Sequence, residues 1–224
     1  MQLRQYLVIA SALLALLGAT AVPAVAADQN LTVNARLLAS ARHGDAAGVE
    51  RALKEGAAVN SRNRLGESVL IIALKRGDVG MAQRMIDAGT DVNQAALNGV
   101  TPVMAAAYGG HTELVKLLLA KGAKVDPADR LNKTAMTYAA GEGRTDIVLL
   151  LLERGVDPNT VYHNDLTALM WAAGYGKTAT VKALLDAGAK PGLKDNRGLT
   201  ALDMAREQKH AETVRLLEAA AAKG

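Results

Sequence analysis

Glycine residues recur at a fixed spacing of 33 residues through most of the chain. One series is Gly56, Gly89, Gly122, Gly155 and Gly188, and another is Gly44, Gly77, Gly110, Gly143 and Gly176. A third series with this period is Ser68, Thr101, Thr134, Thr167 and Thr200. Such self-similarity predicts a stack of small units rather than one central core. Composition agrees, because a core with 3 % aromatic residues and no Phe must be built from Ala, Leu and Val in thin layers.

Each unit is predicted to be two short helices and a hairpin loop. In the best-defined unit, Thr101-Pro102 opens the first helix, because Thr caps helices and Pro is tolerated in the first turn. Gly109-Gly110 turns the chain, and Gly122 ends the second helix, 112–121. Two positions before each Ser or Thr of the third series stands a residue type that tolerates positive φ, which predicts a tight hairpin turn. These residues are Gly66, Gly99, Asn132, Asp165 and Gly198.

Two segments carry a resemblance to a known family. TPVMAAAYGGHTELVKLLLAKGAKVD (101–126) and TALMWAAGYGKTATVKALLDAGAK (167–190) closely resemble the ankyrin repeat. The resemblance covers about 31–222 and implies an all-α, ankyrin-type repeat solenoid of about six helix–turn–helix repeats with projecting hairpin loops. The approximate repeats are 31–62, 63–95, 96–128, 129–161, 162–194 and 195–222. One departure is regular, since the family's His after T-P-L is replaced by Ile71, Met104, Thr137, Met170 and Asp203.

The N-terminal segment differs in composition from the repeats. Arg4 is its only charged residue before Asp28, and an apolar run ends in Pro23-Ala24-Val25-Ala26-Ala27, with small residues at 24 and 26. This pattern predicts a signal peptide over 1–26, cleaved after Ala26 or, as second choice, Ala27, with a short segment 27–30 before the repeats. An uncleaved membrane anchor is the alternative. Because the chain has no Cys, we expect a periplasmic or secreted protein that folds without disulfides.

The stretch GYGKT (174–178) ends like a phosphate-binding loop, but its context argues against a nucleotide site. That loop needs a second glycine five residues before Gly176, and the residue there is Trp171. Lys177 is also one variant of a repeat position that is His111 and Arg144 in the two preceding units. Trp171 itself aligns with inner-helix residues, so core packing is its expected role.

Catalytic and metal sites find little support in the sequence. The histidines are dispersed and none pairs with another at helical i, i+4 spacing. Asp165 near His163 is the best acid–imidazole pair, but it lies on a predicted turn, and a catalytic site needs convergent polar groups in a pocket. No cofactor, no metal and no catalytic residue is predicted, and the basic residues form no cluster of the kind that nucleic acid binding requires.

The resemblance implies a non-catalytic protein–protein interaction scaffold that binds or stabilises an exported partner through its concave hairpin and inner-helix face. An enzyme or small-ligand binder using the concave groove, and a membrane-anchored adaptor, are the alternatives. By register with the family, the predicted partner contacts are Arg64, Leu65, Leu97, Asn98, Val100, Tyr108, Arg130, Leu131, Lys133, Glu142, His163, Asn164, Leu166 and Tyr175. Tyr108, Arg130 and Tyr175 are the predicted anchors.

The second helices should supply most of the buried leucines. Those expected to be buried are Leu117, Leu118, Leu150, Leu151, Leu184 and Leu185.

Overall fold

The structure is a computed structural model that describes residues 23–222, with side chains from residue 32 onwards. Over this range the chain forms twelve α-helices and one 3₁₀ turn, His163–Asp165. The helices are α1 (Pro23–His43), α2 (Ala46–Lys54), α3 (Val69–Arg76), α4 (Val79–Asp87), α5 (Pro102–Gly109), α6 (Thr112–Ala120), α7 (Ala135–Glu142), α8 (Thr145–Glu153), α9 (Ala168–Gly174), α10 (Thr178–Asp186), α11 (Ala201–Glu207) and α12 (Ala211–Ala221).

The helices are arranged as six pairs in two layers. The first helices, α1, α3, α5, α7, α9 and α11, pack in sequence order, and the second helices from α4 to α12 do the same. From α3 onwards, each first helix has a fully buried alanine at the same register position, which lets neighbouring helices approach closely. These residues are Ala73, Ala106, Ala139, Ala172 and Ala205. The predicted all-α repeat solenoid is confirmed.

The first helices from α3 onwards begin with a side-chain cap. Ser68 and the four threonines of its series each accept a hydrogen bond from the backbone N–H three residues later. In four units the residue that replaces the family's His accepts a bond in return. Thr137 Oγ1 accepts from the Thr134 N–H at 2.8 Å, and Asp203 Oδ2 accepts from the Thr200 N–H at 2.9 Å. Met104 and Met170 sulfur atoms do so at 3.4 Å. The departure from the family pattern therefore still satisfies both backbone donors at these helix starts.

The second helices bury only one leucine of each predicted pair completely. Leu118, Leu151 and Leu184 are fully buried, whereas Leu117, Leu150 and Leu185 are half-buried against the core. The prediction was wrong for the second set. Successive helical residues are about 100° apart around the axis, so Leu117, Leu150 and Leu185 lie towards the edge of the packed face.

The helix pairs are joined by five hairpin loops, here called L1 (55–68), L2 (88–101), L3 (121–134), L4 (154–167) and L5 (187–200). All five residues predicted to have positive φ do so, from 55° at Asn132 to 84° at Gly99. In L1, L3 and L5 one side chain fixes the turn by accepting two backbone N–H bonds. These side chains are Asn63, Asp129 and Asp195.

Two kinds of hydrogen bond connect L1 to L2, L2 to L3 and L4 to L5. At the hairpin tips, the Leu97 N–H in L2 donates to the Leu65 carbonyl in L1 at 2.9 Å. L3 bonds to L2 and L5 bonds to L4 in the same way. Nearer the second helices, an asparagine side chain bridges to the next loop. Asn93 Nδ2 donates to the Gly122 carbonyl at 3.1 Å, and Asn93 Oδ1 accepts from the Lys124 N–H at 2.9 Å.

Loops L3 and L4 lack both kinds of bond among the residues described. The register position of the bridging asparagine is Asp126 in L3, and a carboxylate cannot donate to the carbonyl of the next loop. At the tips, the His163 N–H does not reach the Leu131 carbonyl. A cavity of about 590 Å³ lies between the two loops, lined by Asp126, Asp157 and Tyr162 among others. We call this place the L3–L4 seam.

The predicted signal peptide falls mostly on residues 1–22, which lie outside the described residues. The two predicted cleavage positions, Ala26 and Ala27, are within α1. Of the helices in the described range, none is long and apolar enough to cross a membrane.

Candidate functional site

Aromatic residues are rare in this chain and concentrated at one place. The chain has one Trp and five Tyr. Four of these six residues, Tyr108, Tyr138, Trp171 and Tyr175, lie on the first helices of three consecutive units or directly after them. The rings of Tyr108 and Tyr138 meet edge to face with centroids 5.9 Å apart, and those of Trp171 and Tyr175 stack at 6.0 Å. We call these four residues the aromatic row, and the surface of first helices and hairpin loops the inner face.

The repeat register explains how the row forms. Tyr138 and Trp171 occupy one position in adjacent units, which is Ala105 in the unit before. Gly141, which aligns with Tyr108, leaves the surface of α7 low, so the ring of Tyr175 lies within 3.7 Å of where its Cβ would be. The ring of Tyr175 therefore extends over the preceding unit. Tyr108 and Tyr175 are one register position apart.

A lysine side chain lies against two rings of the row. Lys133 Nζ is 4.7 Å from the ring centroid of Trp171 and 5.5 Å from that of Tyr138. Both distances are within the range in which an ammonium is attracted to an aromatic face. Among the residues described, Lys133 forms no ion pair with a carboxylate. In the described range, the contacts of the Lys133 ammonium are therefore the rings of Trp171 and Tyr138.

Asp129 fixes the ring of Tyr138 from below. The Tyr138 hydroxyl donates to Asp129 Oδ2 at 2.6 Å, while Asp129 Oδ1 accepts from the Leu131 and Lys133 N–H groups. Burial, and then the hydrogen bond to Asp129, raise the pKa of Tyr138 far above its usual value. Both oxygens of Asp129 thus accept bonds from neutral donors, and this carboxylate forms no ion pair with Lys133.

The unit that begins with α3 shows the opposite charge arrangement. Glu67 aligns with Lys133, and Lys75 aligns with Tyr108. Lys75 Nζ lies 2.6 Å from Glu67 Oε1, so this cation is paired. Partial burial disfavours the charged form of Glu67, but the hydrogen bonds from Lys75 and Asn63 outweigh burial and lower its pKa. The cation of Lys75 is thus neutralised within its own unit, whereas Lys133, two units later, has no carboxylate partner among the residues described.

Two grooves border the aromatic row on the inner face. The first, about 420 Å³, is lined by Lys75, Asn98, Tyr108 and Tyr138 among others. The second, about 570 Å³, is lined by residues that include Trp171, Tyr175, Arg197, Glu207 and His210. Both combine apolar ring surface with charged edges, an arrangement that suits the side chains of a protein segment.

Most of the predicted contact residues are exposed on the inner face or the hairpin tips. These are Arg64, Leu65, Leu97, Asn98, Tyr108, Arg130, Leu131, Glu142, His163, Asn164 and Tyr175. Tyr108 and Tyr175 are 55 % and 57 % exposed, so packing does not explain them.

The structure places three of the predicted contacts away from the hairpin tips, and one predicted core residue at the edge of the core. Val100, Lys133 and Leu166 share the position just before the cap threonine, where the side chain turns towards the helices. Val100 is therefore buried, Leu166 is half-buried against the core, and Lys133 lies on the rings rather than at a tip. Trp171, expected to pack in the core, is half-buried against it and also stacks on Tyr175 within the row. The scarcity of aromatic residues was the one sequence signal that could have singled it out.

Lys177 of the GYGKT stretch has a packing role. A Cβ placed on Gly143 would lie 2.8 Å from Lys177 Cδ, so the lysine stem covers the turn of the preceding unit. Arg144 covers Gly110 in the same way at 2.8 Å. The glycine that precedes Lys177 has φ of 63°, which is a turn conformation. The sequence Gly-Lys-Thr is thus accounted for by the stacking of units.

The other candidate catalytic and metal-binding residues are not brought together within the described range. No hydrogen bond or ion pair joins His163 and Asp165 within the described range, and both are exposed on the L4 tip. In the same range, no group of three or more His, Asp or Glu side chains is placed to hold a metal ion.

Comparison with known proteins agrees with the geometry. A family model described as ankyrin repeats in three copies matches residues 36–129, 80–162 and 156–223. No curated protein matches the chain significantly.

Proposed function

Because the chain belongs to the ankyrin repeat family, whose members are generally protein–protein interaction modules, we propose that it binds a protein partner through its inner face, centred on the aromatic row. The carrying observation is the concentration of four of six aromatic residues on that face, where Tyr108 and Tyr175 are more than half exposed. Exposed Tyr, Trp and Arg are the types that most often anchor interfaces.

The hairpin tips extend this surface. Leu65, Leu97 and Leu131 are each more than half exposed, although packing of the stack does not require an apolar residue at a tip. Their apolar side chains stand on the same face as the aromatic row. A partner that covers both would remove this apolar area from water, which favours association.

We further propose that the partner is an exported protein, because the N-terminal segment has the composition of a signal peptide. Intact mass of the protein recovered from its native host tests this. Loss of residues 1–26 or 1–27 supports export, whereas a mature chain that still begins at Met1 contradicts it.

The interface is tested with Tyr108→Ala, Arg130→Glu and Tyr175→Ala combined. A partner is first trapped by crosslinking in the native compartment and then purified for binding measurements. We expect its affinity for the triple variant to fall at least tenfold, with Tm within a few degrees of wild type, since these side chains are exposed.

A matched triple variant on the second helices serves as control. Val79→Ala, Lys116→Glu and Leu149→Ala remove two exposed apolar side chains and reverse one charge on the other layer. Equal loss of binding in both triple variants, or undiminished binding in the inner-face variant, would contradict the proposed interface.

A further inference from the structure

On the basis of the proposed function, we infer that the occupant of the inner face is an acidic, extended protein segment. Its carboxylates would pair with Lys133 and Arg130, and its apolar side chains would lie on Trp171 and Tyr175. The inference goes beyond a general interaction scaffold, because it specifies the charge and shape of the partner.

The first argument is the unpaired cation at the centre of the face. Lys75 in the unit of α3 and Arg197 in L5 are each neutralised by a carboxylate, Glu67 at 2.6 Å and Asp195 at 2.8 Å. Lys133 lies between them along the stack and has no carboxylate partner in the described part of the chain. Its ring neighbours leave the ammonium hydrogens available to an acceptor that approaches from solvent, and charge-assisted hydrogen bonds are the stronger ones.

The second argument is the distribution of charge between the two edges of the inner face. The hairpin edge carries the exposed cations Arg64 and Arg130 as well as Lys133. The opposite edge is mixed: it carries the exposed Glu142 and Glu207 at the ends of α7 and α11, and the exposed Lys75 and Arg76 at the end of α3. A protein segment can place its acids along the hairpin edge alone, where they would face the cations and stay away from Glu142 and Glu207.

Single-stranded nucleic acid also combines negative charge with groups that stack on aromatic rings. It is less well matched here, because its regular phosphate backbone would have to avoid the two glutamates as well as follow the lysine. An extended peptide is favoured over a folded surface, since the aromatic row and the tips of L2 and L3 form a continuous path across three units.

The occupant is identified with a random dodecapeptide library displayed on phage and selected on the folded protein. We expect enriched sequences to contain Asp or Glu flanked by apolar residues or Pro. Enrichment of neutral or basic sequences would overturn the inference while leaving the face as a binding surface. No enrichment over bare support would count against the proposed function itself.

An enriched peptide and its counterpart with every Glu and Asp replaced by the amide are then titrated against the emission of Trp171, the single tryptophan of the chain. We expect the amide peptide to bind at least tenfold more weakly. Lys133→Gln should weaken the acidic peptide about tenfold and leave the amide peptide unchanged. Lys116→Gln, which removes the same charge on α6, should affect neither peptide.

Three results would refute the inference. Equal binding of the acidic and amide peptides would remove the need for carboxylates. Binding that leaves Trp171 emission unchanged and is indifferent to Lys133→Gln would place the peptide elsewhere. Tighter binding of an oligothymidine 15-mer than of any selected peptide would assign the face to nucleic acid.

Discussion

Replacing Asp126 with asparagine should restore the missing connection between loops L3 and L4. Asn93 and Asn159 occupy the same register position in L2 and L4, and each donates to a carbonyl and accepts from an N–H of the next loop. By the same register, the side-chain amide introduced by Asp126→Asn would donate to the Gly155 carbonyl and accept from the Asp157 N–H. Neither bond is formed in the wild type among the described residues.

The size of the effect follows from two hydrogen bonds gained. Each is worth about 0.5–1.5 kcal/mol net, so the pair could contribute about 1–3 kcal/mol. Closing the cavity of about 590 Å³ orders loop backbone, which opposes part of this gain. We expect a net stabilisation of about 1–2 kcal/mol, or about 2–8 °C in Tm for a chain of this size.

Hydrogen exchange measures the protection of single amides in the loops, and urea unfolding measures the free energy of unfolding of the chain. In the wild type, the Lys124 and Lys190 amides are bonded to asparagine side chains and should exchange slowly, whereas the Asp157 amide should exchange fast. In Asp126→Asn the Asp157 amide should become as protected as the other two. The reverse change, Asn159→Asp, is the control and should destabilise by about 1 kcal/mol.

The reasoning fails if Asp157 is already protected in the wild type, because the seam would then be closed in solution. It also fails if Asp126→Asn changes neither exchange nor unfolding while Asn159→Asp destabilises. That combination would mean that something other than the missing side-chain donor holds L3 and L4 apart.

Further expectations concern the core, the last turn and the aromatic row. Leu151→Ala should cost about 2–5 kcal/mol in urea unfolding, and Leu150→Ala less than half of that, since only the first is fully buried; equal costs would contradict the helix register. Lys209→Gly should stabilise by about 1 kcal/mol, because Lys209 has φ of 60°; a lower Tm would show that the lysine side chain compensates. Iodide should quench Trp171 emission more than caesium does, and Lys133→Gln should reduce the difference; identical quenching would separate the ammonium from the ring.

The architecture could be predicted from sequence because the 33-residue period repeats three independent signals, which are helix caps, turn glycines and hairpin residues. Burial within a helix was less predictable. A run such as Leu149 to Leu152 is apolar all round, and only packing against the neighbouring helices decides that Leu151 is the buried one.

The aromatic row could not be predicted by register alone. Tyr108 and Tyr138 occupy different positions of the repeat, so alignment of units separates them, although side-chain reach brings their rings within 5.9 Å. Lys133 reaches Trp171 from a loop rather than a helix. These ring contacts depend on side-chain length and on the small residue Gly141 beneath Trp171 and Tyr175. The 33-residue period encodes neither.

The side chain of Lys177 covers the turn of the preceding unit, so the contact between units has a direction along the stack. Each turn glycine lies beneath a side chain from the following unit, and a Cβ on Gly176 would lie only 2.5 Å from His210 Nδ1. At the equivalent turn of the sixth unit stands Lys209, whose own Cβ occupies the place that a covering side chain would need. An engineered seventh unit would therefore cover this turn more closely after Lys209 is exchanged for glycine, so one residue limits how well the array could be extended at this end.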